Sequence, residues 1–304
     1  NKNEIINIRG DLGEVSRRRI SLMATTAGVA GACASPIIDR IRGALYGMLI
    51  ADALAMPTHW YYGGRGQVQR DYGVISGYVA PQSKLPGSIM GKSSTGGAGR
   101  GGDHGSIIGD VIFHGKKKYW RSGSGYHYHQ GMAAGDNTLE GLLARRVVNV
   151  TSESDGAFDE TALRGDYVQF MTTPGSHNDT YAGTCHRMFF EKWSRGVAPE
   201  LCPDNDGHNV DTADAIVAAI PIALRSSDDA EAEDEIQKMV GITRDSRPAQ
   251  QHAALFARAL RSVVRGTSTL DEAVDAAARS IRYDVRGTVA RDGRSSPARD
   301  PVHA

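Results

Sequence analysis

The chain has 304 residues, 40% of them hydrophobic, enough for a sizeable core in one large domain or two small ones. Its 35 basic residues balance 35 acidic ones, which argues against a nucleic-acid binder driven by bulk charge. No run reaches the roughly 18 apolar residues of a membrane span, and Cys33, Cys185 and Cys202 are too few and too odd in number for a disulfide framework, which fits a reducing, cytoplasmic setting.

Residues 1–35 are read as a non-core segment. Ser16-Arg17-Arg18-Arg19-Ile20 precedes a weakly apolar run ending at Ala32-Cys33-Ala34. This fits a twin-arginine export signal or an organelle transit peptide in residues 16–34, or else Met23 is the true start and residues 1–22 are not native; the second reading is favoured. From residue 37 to 55, Ile38, Ile41, Leu45, Met48 and Asp52 recur at helical spacing, and Pro57 stops the pattern. Gly43 and Gly47, one turn apart, are expected to let another backbone approach. Glycines crowd residues 63–109, and residues 61–125 show little periodicity, so a long Gly-rich irregular insertion is expected there, anchored by the apolar stretch from Ile107 to Phe113.

Helix returns near residue 137, where Leu139, Leu142, Leu143, Val147 and Val150 make an apolar stripe. Residues 163–173 and 179–194 are weaker helix candidates. Asp211–Leu224 reads as an Ala/Ile-rich helix interrupted by Pro221, and residues 228–240 as an acidic surface helix. Ala249–Val264 has the strongest helical propensity. Thr269-Leu270-Asp271-Glu272 is a capping box for a helix over 270–282. No strands occur at βαβ spacing and residues 286–304 lose all pattern, so the expected fold is all-α: a compact multi-helix bundle over 36–285 with a disordered tail over 286–304.

Four polar clusters could carry chemistry. Asp52 falls on the apolar register of its helix, where a carboxylate needs a hydrogen bond, a charge partner or a metal. Gly135-Asp136-Asn137-Thr138 offers three oxygen-bearing side chains at a helix start, suited either to a hard cation or to capping, with Asp136 or Asn137 as N-cap and Asn137 with Glu140 as a box. Asp204-Asn205-Asp206-Gly207-His208-Asn209-Val210-Asp211-Thr212-Ala213-Asp214 packs four carboxylates into eleven residues. It suits a cation or a solvated turn equally, and its spacing is not that of an EF-hand. Capping explains Ser176-His177-Asn178-Asp179-Thr180. For His127 and His129, stacking or hydrogen bonding is preferred over zinc. The serine-hydrolase elbow and the P-loop are absent, while the glycines over 95–105 could offer amides to a phosphate.

Arg42-Gly43-Ala44-Leu45-Tyr46-Gly47-Met48-Leu49-Ile50-Ala51-Asp52-Ala53-Leu54-Ala55-Met56-Pro57 resembles the opening signature of ADP-ribosylglycohydrolases, R-G-A-L-x-G-x-x-x-G-D-A-L-G-x-P, with Ala51 and Ala55 in place of Gly. That family often carries a Glu seven residues after the Asp; this chain has His59. Gly135-Asp136-Asn137-Thr138 resembles the second motif, [TS]-D-D-T, with Asn137 keeping an oxygen but losing a charge. Asn209-Val210-Asp211-Thr212 is similar to the last motif, D-x-D-[TS]; alternatively, Asp211–Leu224 is the family's central helix and the last motif lies beyond residue 304, in a chain truncated at its C-terminus.

The resemblance implies a hydrolase that cleaves an N- or O-glycosidic bond to ADP-ribose with two Mg²⁺ ions, weakened or lost here. Its implied catalytic residues are Asp52, Asp136 and His59. The implied metal ligands are Asp136, Asn137, Thr138, Asn209, Asp211 and Thr212, and the ligand contacts Gly99, Gly101, Gly102 and His208. The implied partner is an ADP-ribosylated protein or small molecule, with no nucleic acid and no membrane, and a monomer is expected. The lost charges leave a second reading, a catalytically inactive ADP-ribose or nucleotide binder like the crystallin-like members of the superfamily.

Overall fold

The computed structural model describes residues 35–88, 90, 107–121, 123–205 and 210–281. The glycines at 99, 101 and 102, together with His208 and Asn209, lie outside these residues, as do the N-terminal segment before residue 35 and the tail after 281.

Helix α1, Pro36–Ala55, starts with Pro at its first turn, where the missing N–H costs nothing, and runs into a 3₁₀ turn, Met56–Thr58. Its apolar register buries only Leu49 and Ala53 fully. Nothing lies within 4 Å of where a side chain would start at Gly43 or Gly47, so the expected close backbone approach is absent among the described residues.

Inside the stretch expected to be irregular, Gly64–Tyr72 forms a further helix, α2. It has no apolar stripe and buries only Gln67, so hydrophobic periodicity could not reveal it. Ile107–Val111 is an irregular helical turn broken at Ile108 and at Gly109, whose φ of 103 suits glycine. Ile107, Ile108, Ile112 and Phe113 are buried, which makes this stretch the expected anchor.

Helix α3, Leu139–Glu153, turns Leu139, Leu143, Ala144, Val147 and Val150 into the core. Then follow α4, Glu160–Thr172, and α5, Thr184–Ser194. The latter begins five residues later than expected, because residues 179–183 form no helix and Gly183 stands at the N-cap. The expected helix over 211–224 is instead a 3₁₀ run, Ala213–Ala219, followed by a one-turn helix, α6, Ile220–Ala223. Pro221 has no N–H, and its ring would strike the carbonyl four residues back in a continuous α-helix, so a new helix begins beside it.

Helices α7, Asp229–Gly241, α8, Arg247–Arg265, and α9, Leu270–Ser280, complete the described chain. The capping box at Thr269 and Glu272 forms in both directions. Helix α8 packs on α7, α9, α1 and the 3₁₀ run through Ala249, Ala253, Ala254, Ala257 and Val264. The buried Arg261 on the same face ties down the α6–α7 turn by donating to the carbonyls of Ala223, Ser226 and Asp228. Helix α3 lies between α1, α4 and the 3₁₀ run, and its start meets the C-terminal end of α1 at Asp52. The fold is all-α, with no strand among the described residues beyond isolated bridges.

Candidate active site

The start of α3 is held by carboxylates from two distant segments. Asp52, at the end of α1, accepts hydrogen bonds from Thr138 N (2.8 Å), Thr138 Oγ1 (2.6 Å) and Asn137 Nδ2 (2.9 Å). Asn137 Nδ2 also donates to the Leu49 carbonyl at 2.7 Å. Asp179 accepts from Leu139 N at 2.7 Å. Thr138 occupies the N-cap position without a side-chain cap of its own, so the expected cap by Asp136 or Asn137 gives way to one supplied 40 residues along the chain. The expected Asn137–Glu140 box is also absent: Glu140 turns instead to His186, whose Nε2 lies 2.8 Å from Oε1.

This clamp requires glycine one turn into α3. A Cβ on Gly141 would stand 2.6 Å from Asp52 Oδ2 and 3.2 Å from the Asn137 Cβ, below contact distance. Gly141→Ala is therefore expected to push Asp52 off the helix start and cost about 1–3 kcal/mol as overpacking, outweighing the gain in helix propensity. A urea midpoint equal to or above that of the parent would contradict the close approach.

Asp136 stands beside the clamp. Its Oδ2 accepts from Ala133 N (2.8 Å) and from Asn178 Nδ2 (2.9 Å), while Oδ1 has no partner among the described residues. Lys116 Nζ donates to the Asn178 carbonyl at 2.7 Å and brings a cation to this side.

His59 belongs to a chain of groups. Its Nδ1 lies 2.7 Å from His129 Nε2, and His129 Nδ1 lies 2.7 Å from Asp179 Oδ1. The same carboxylate oxygen accepts from Thr180 N (2.6 Å) and Tyr181 N (3.2 Å). Asp179, 1% exposed, thus ties the histidine pair to the start of α3. Burial pushes its carboxyl up, but His129 and the amides of Leu139 and Tyr181 outweigh this and hold it at about 2. His127 bonds the Pro57 carbonyl through Nε2 (3.0 Å) and accepts from His129 N through Nδ1 (3.0 Å). Burial, reinforced by His129, lowers His59 to about 3 and His127 to about 4.

Around His59 stand Trp60, Tyr128 and Tyr181, with ring centroids 5.1, 5.5 and 5.3 Å away. Trp60 adopts a φ of 54, unusual for a bulky residue and worth roughly 1–3 kcal/mol of strain. Edge contacts to Tyr128 and Tyr181 hold it there.

Asp211 is exposed at the head of the 3₁₀ run. Thr212 accepts from Arg244 Nη1 at 3.2 Å, and Asp214 takes the same guanidinium in bidentate fashion at 3.2 and 3.1 Å. Burial raises Asp214, and Arg244 more than reverses this. Among the described residues no hydrogen bond or ion pair joins Asp211 or Thr212 to the Asp136 cluster, and a guanidinium on the Thr212 hydroxyl disfavours a cation at that oxygen.

Among the described residues, no three His, Cys, Asp or Glu side chains gather as a metal site. Asn137 spends its amide nitrogen on the Leu49 carbonyl and Asp52, so its Oδ1, like Oδ1 of Asp136, takes no partner among the described residues. Both are hard oxygens of the kind a divalent cation such as Mg²⁺ takes. Of the residues singled out in the sequence, Asp52, Asn137 and Thr138 are directly joined, and His59 reaches the same helix start through Asp179. Sequence reasoning named His129 for stacking or hydrogen bonding and Asp179 for capping but not as partners of each other or of His59, and it missed the buried Tyr167–His186–Glu140 chain, whose links are both 2.8 Å. The only signal was the clustering of polar residues at 127–129 and 176–180, with nothing to pair them.

The sequence profile of the ADP-ribosylglycohydrolase family matches residues 34–301, and the chain belongs to that family. No curated protein matches the chain. Membership places it, in general terms, among hydrolases of ADP-ribose linkages acting on ADP-ribosylated substrates. No helix among the described residues is long and apolar enough to cross a membrane.

Proposed function

We propose that the protein hydrolyses the N- or O-glycosidic bond joining ADP-ribose to a protein side chain or small molecule, with the ribose seated at the start of α3 between Asp136, Asn137 and His59. One observation supports this reading above the others: Asp179 caps α3 through one carboxylate oxygen and holds the His129–His59 pair through the other. The first amides of α3 are already taken by Asp52 and Asp179, so the helix start is anionic and suits sugar hydroxyls better than a phosphate. The free Oδ1 of Asp136 accepts from a ribose hydroxyl or an attacking water. His59, in an aromatic wall, accepts from a second hydroxyl and orients the sugar. Water then adds at the anomeric carbon as the bond to nitrogen or oxygen breaks, and the leaving group takes a proton. A Mg²⁺ ion held by Asp136 and Asn137, when bound, would polarise the ribose hydroxyls. Thr138, Asp211 and Asn209 are further candidate ligands; Asp52 acts by fixing Asn137 and Thr138.

Binding without turnover is a second reading. It is favoured by Asn137, whose amide completes the clamp on Asp52 where a carboxylate would repel it. The two are separated by calorimetry with ADP-ribose, with and without Mg²⁺, followed by an assay of ADP-ribose release from ADP-ribosyl-arginine, ADP-ribosyl-serine peptide and O-acetyl-ADP-ribose. Binding without release from any of the three would leave only the second reading. Release that falls at least 100-fold in Asp136→Ala supports the first.

A further inference from the structure

The His59–His129–Asp179 chain fixes more than position, because each link constrains where the ring protons lie. A carboxylate only accepts, so His129 Nδ1, at 2.7 Å from Asp179 Oδ1, carries the proton. In a neutral His129, Nε2 is then an acceptor, and the proton in the 2.7 Å contact to His59 must sit on His59 Nδ1. His59 Nε2 is left with its lone pair. No described residue bonds that nitrogen, and the His59 side chain is half-buried rather than sealed in the core. The surroundings hold this arrangement. Asp179 is locked by the amides of Leu139, Thr180 and Tyr181. His129 is fixed through its own backbone N–H by His127, whose other nitrogen bonds the Pro57 carbonyl, two residues before His59. The charged and titratable groups facing His59 are His127, His129, Asp179 and Asp214.

We infer that His129 and Asp179 are positioning residues that lock His59 in the Nδ1–H tautomer, so that Nε2 presents a standing hydrogen-bond acceptor to a hydroxyl of the bound sugar. This inference rests on the proposed ribose site for its ligand, but not for its tautomer. An acceptor of fixed direction, enclosed once the sugar is bound, discriminates strongly against a sugar lacking the matching O–H, since the lone pair would then be left without a partner.

Nitrogen-15 NMR of histidine-labelled protein at pH 7.5 tests it directly. The expected result is a pyridine-like Nε2 and a pyrrole-like Nδ1 for His59, assigned by its loss in His59→Gln. In His129→Phe, which keeps a ring in place, His59 should lose the pyridine-like Nε2 signal, and kcat on the ADP-ribosylated substrate should fall about 100-fold with a folded circular-dichroism spectrum. In His129→Gln, whose amide oxygen can still accept from His59 Nδ1, tautomer and most of the rate should return. A pyrrole-like His59 Nε2 in the wild type, the pattern of a charged His129 donating to His59, would overturn the inference. So would a His129→Phe variant with unchanged tautomer and rate. If His129→Phe does not fold, the wild-type and His129→Gln spectra decide. A correct tautomer in a protein that releases no ADP-ribose from any substrate would instead count against the proposed hydrolysis.

Discussion

Asp179→Ala should be the most damaging single change in the described chain. It removes the acceptor for His129 Nδ1 and for the amides of Leu139, Thr180 and Tyr181, all at 2.6–3.2 Å. Loss of one partner from a buried, hydrogen-bonded pair typically costs about 3–5 kcal/mol, and the orphaned amides sit at the first turn of α3. Asp179→Asn should be milder. Its oxygen can stay with His129, Thr180 and Tyr181, while its NH₂ group meets the Leu139 N–H, so the relay is kept and the helix cap is lost. Urea denaturation followed by tryptophan fluorescence checks both: Trp120, which donates to the Thr180 carbonyl at 2.9 Å, lies beside the affected loop. Equal stability of Asp179→Ala and the parent would contradict the role of Asp179 as the shared anchor.

A steep loss of stability between pH 6.5 and 5 is the second large effect. Burial is the leading cause that lowers His59 to about 3, and His127 and His177 to about 4 each, from an ordinary value of 6.5. These rings fold neutral, whereas the unfolded chain takes up protons below 6.5. As pH falls, the unfolded state therefore binds more protons and stability drops, until the folded values are reached. From pH 6.5 to 5 the loss is up to about 2 kcal/mol per ring. His127 is fully buried, but His59 and His177 are half-buried and screened, so the total is nearer 4 kcal/mol. Asp179 adds nothing in this window: its lowered value stabilises the fold above about 4, and that contribution is lost only towards about 2. His186 acts on the other side. Burial lowers it, but Cys185, Tyr167 and Glu140 outweigh that and raise it well above 6.5, so its contribution is complete in acid and fades as pH rises through the folded value. Urea midpoints at pH 7 and pH 5 check the balance; a flat profile would mean the three rings fold charged.

How far the chain could be read in advance follows from the range of each interaction. Local signals were legible. The apolar register of α1, the stripe of α3, the propensity of α8 and the Thr269–Glu272 box all act within a few residues, and each produced the element expected. Helix α2 was hidden because it buries Gln67 rather than an apolar stripe. The 3₁₀ run before Pro221 was hidden because Ala, Ile and Val suit either helix type, and only the chain geometry around the proline decides. The site was half legible. The signature around Asp52 and the Asp136-Asn137-Thr138 run pointed to segments that the fold does join. The Asp179–His129–His59 chain links residues 50 and 70 apart, and nothing in either local sequence names its partner. Capping did explain Asp179, but it caps α3 rather than the helix that follows it in sequence.

The most direct test of the central claim is release of free ADP-ribose from an ADP-ribosylated peptide, followed by chromatography in wild type, Asp136→Ala and His59→Phe at pH 7.5, with Mg²⁺ and with chelator. Release by the wild type, at least 100-fold slower in both variants while both remain folded, is the result expected. Release that is unchanged in both variants would place the chemistry away from the start of α3.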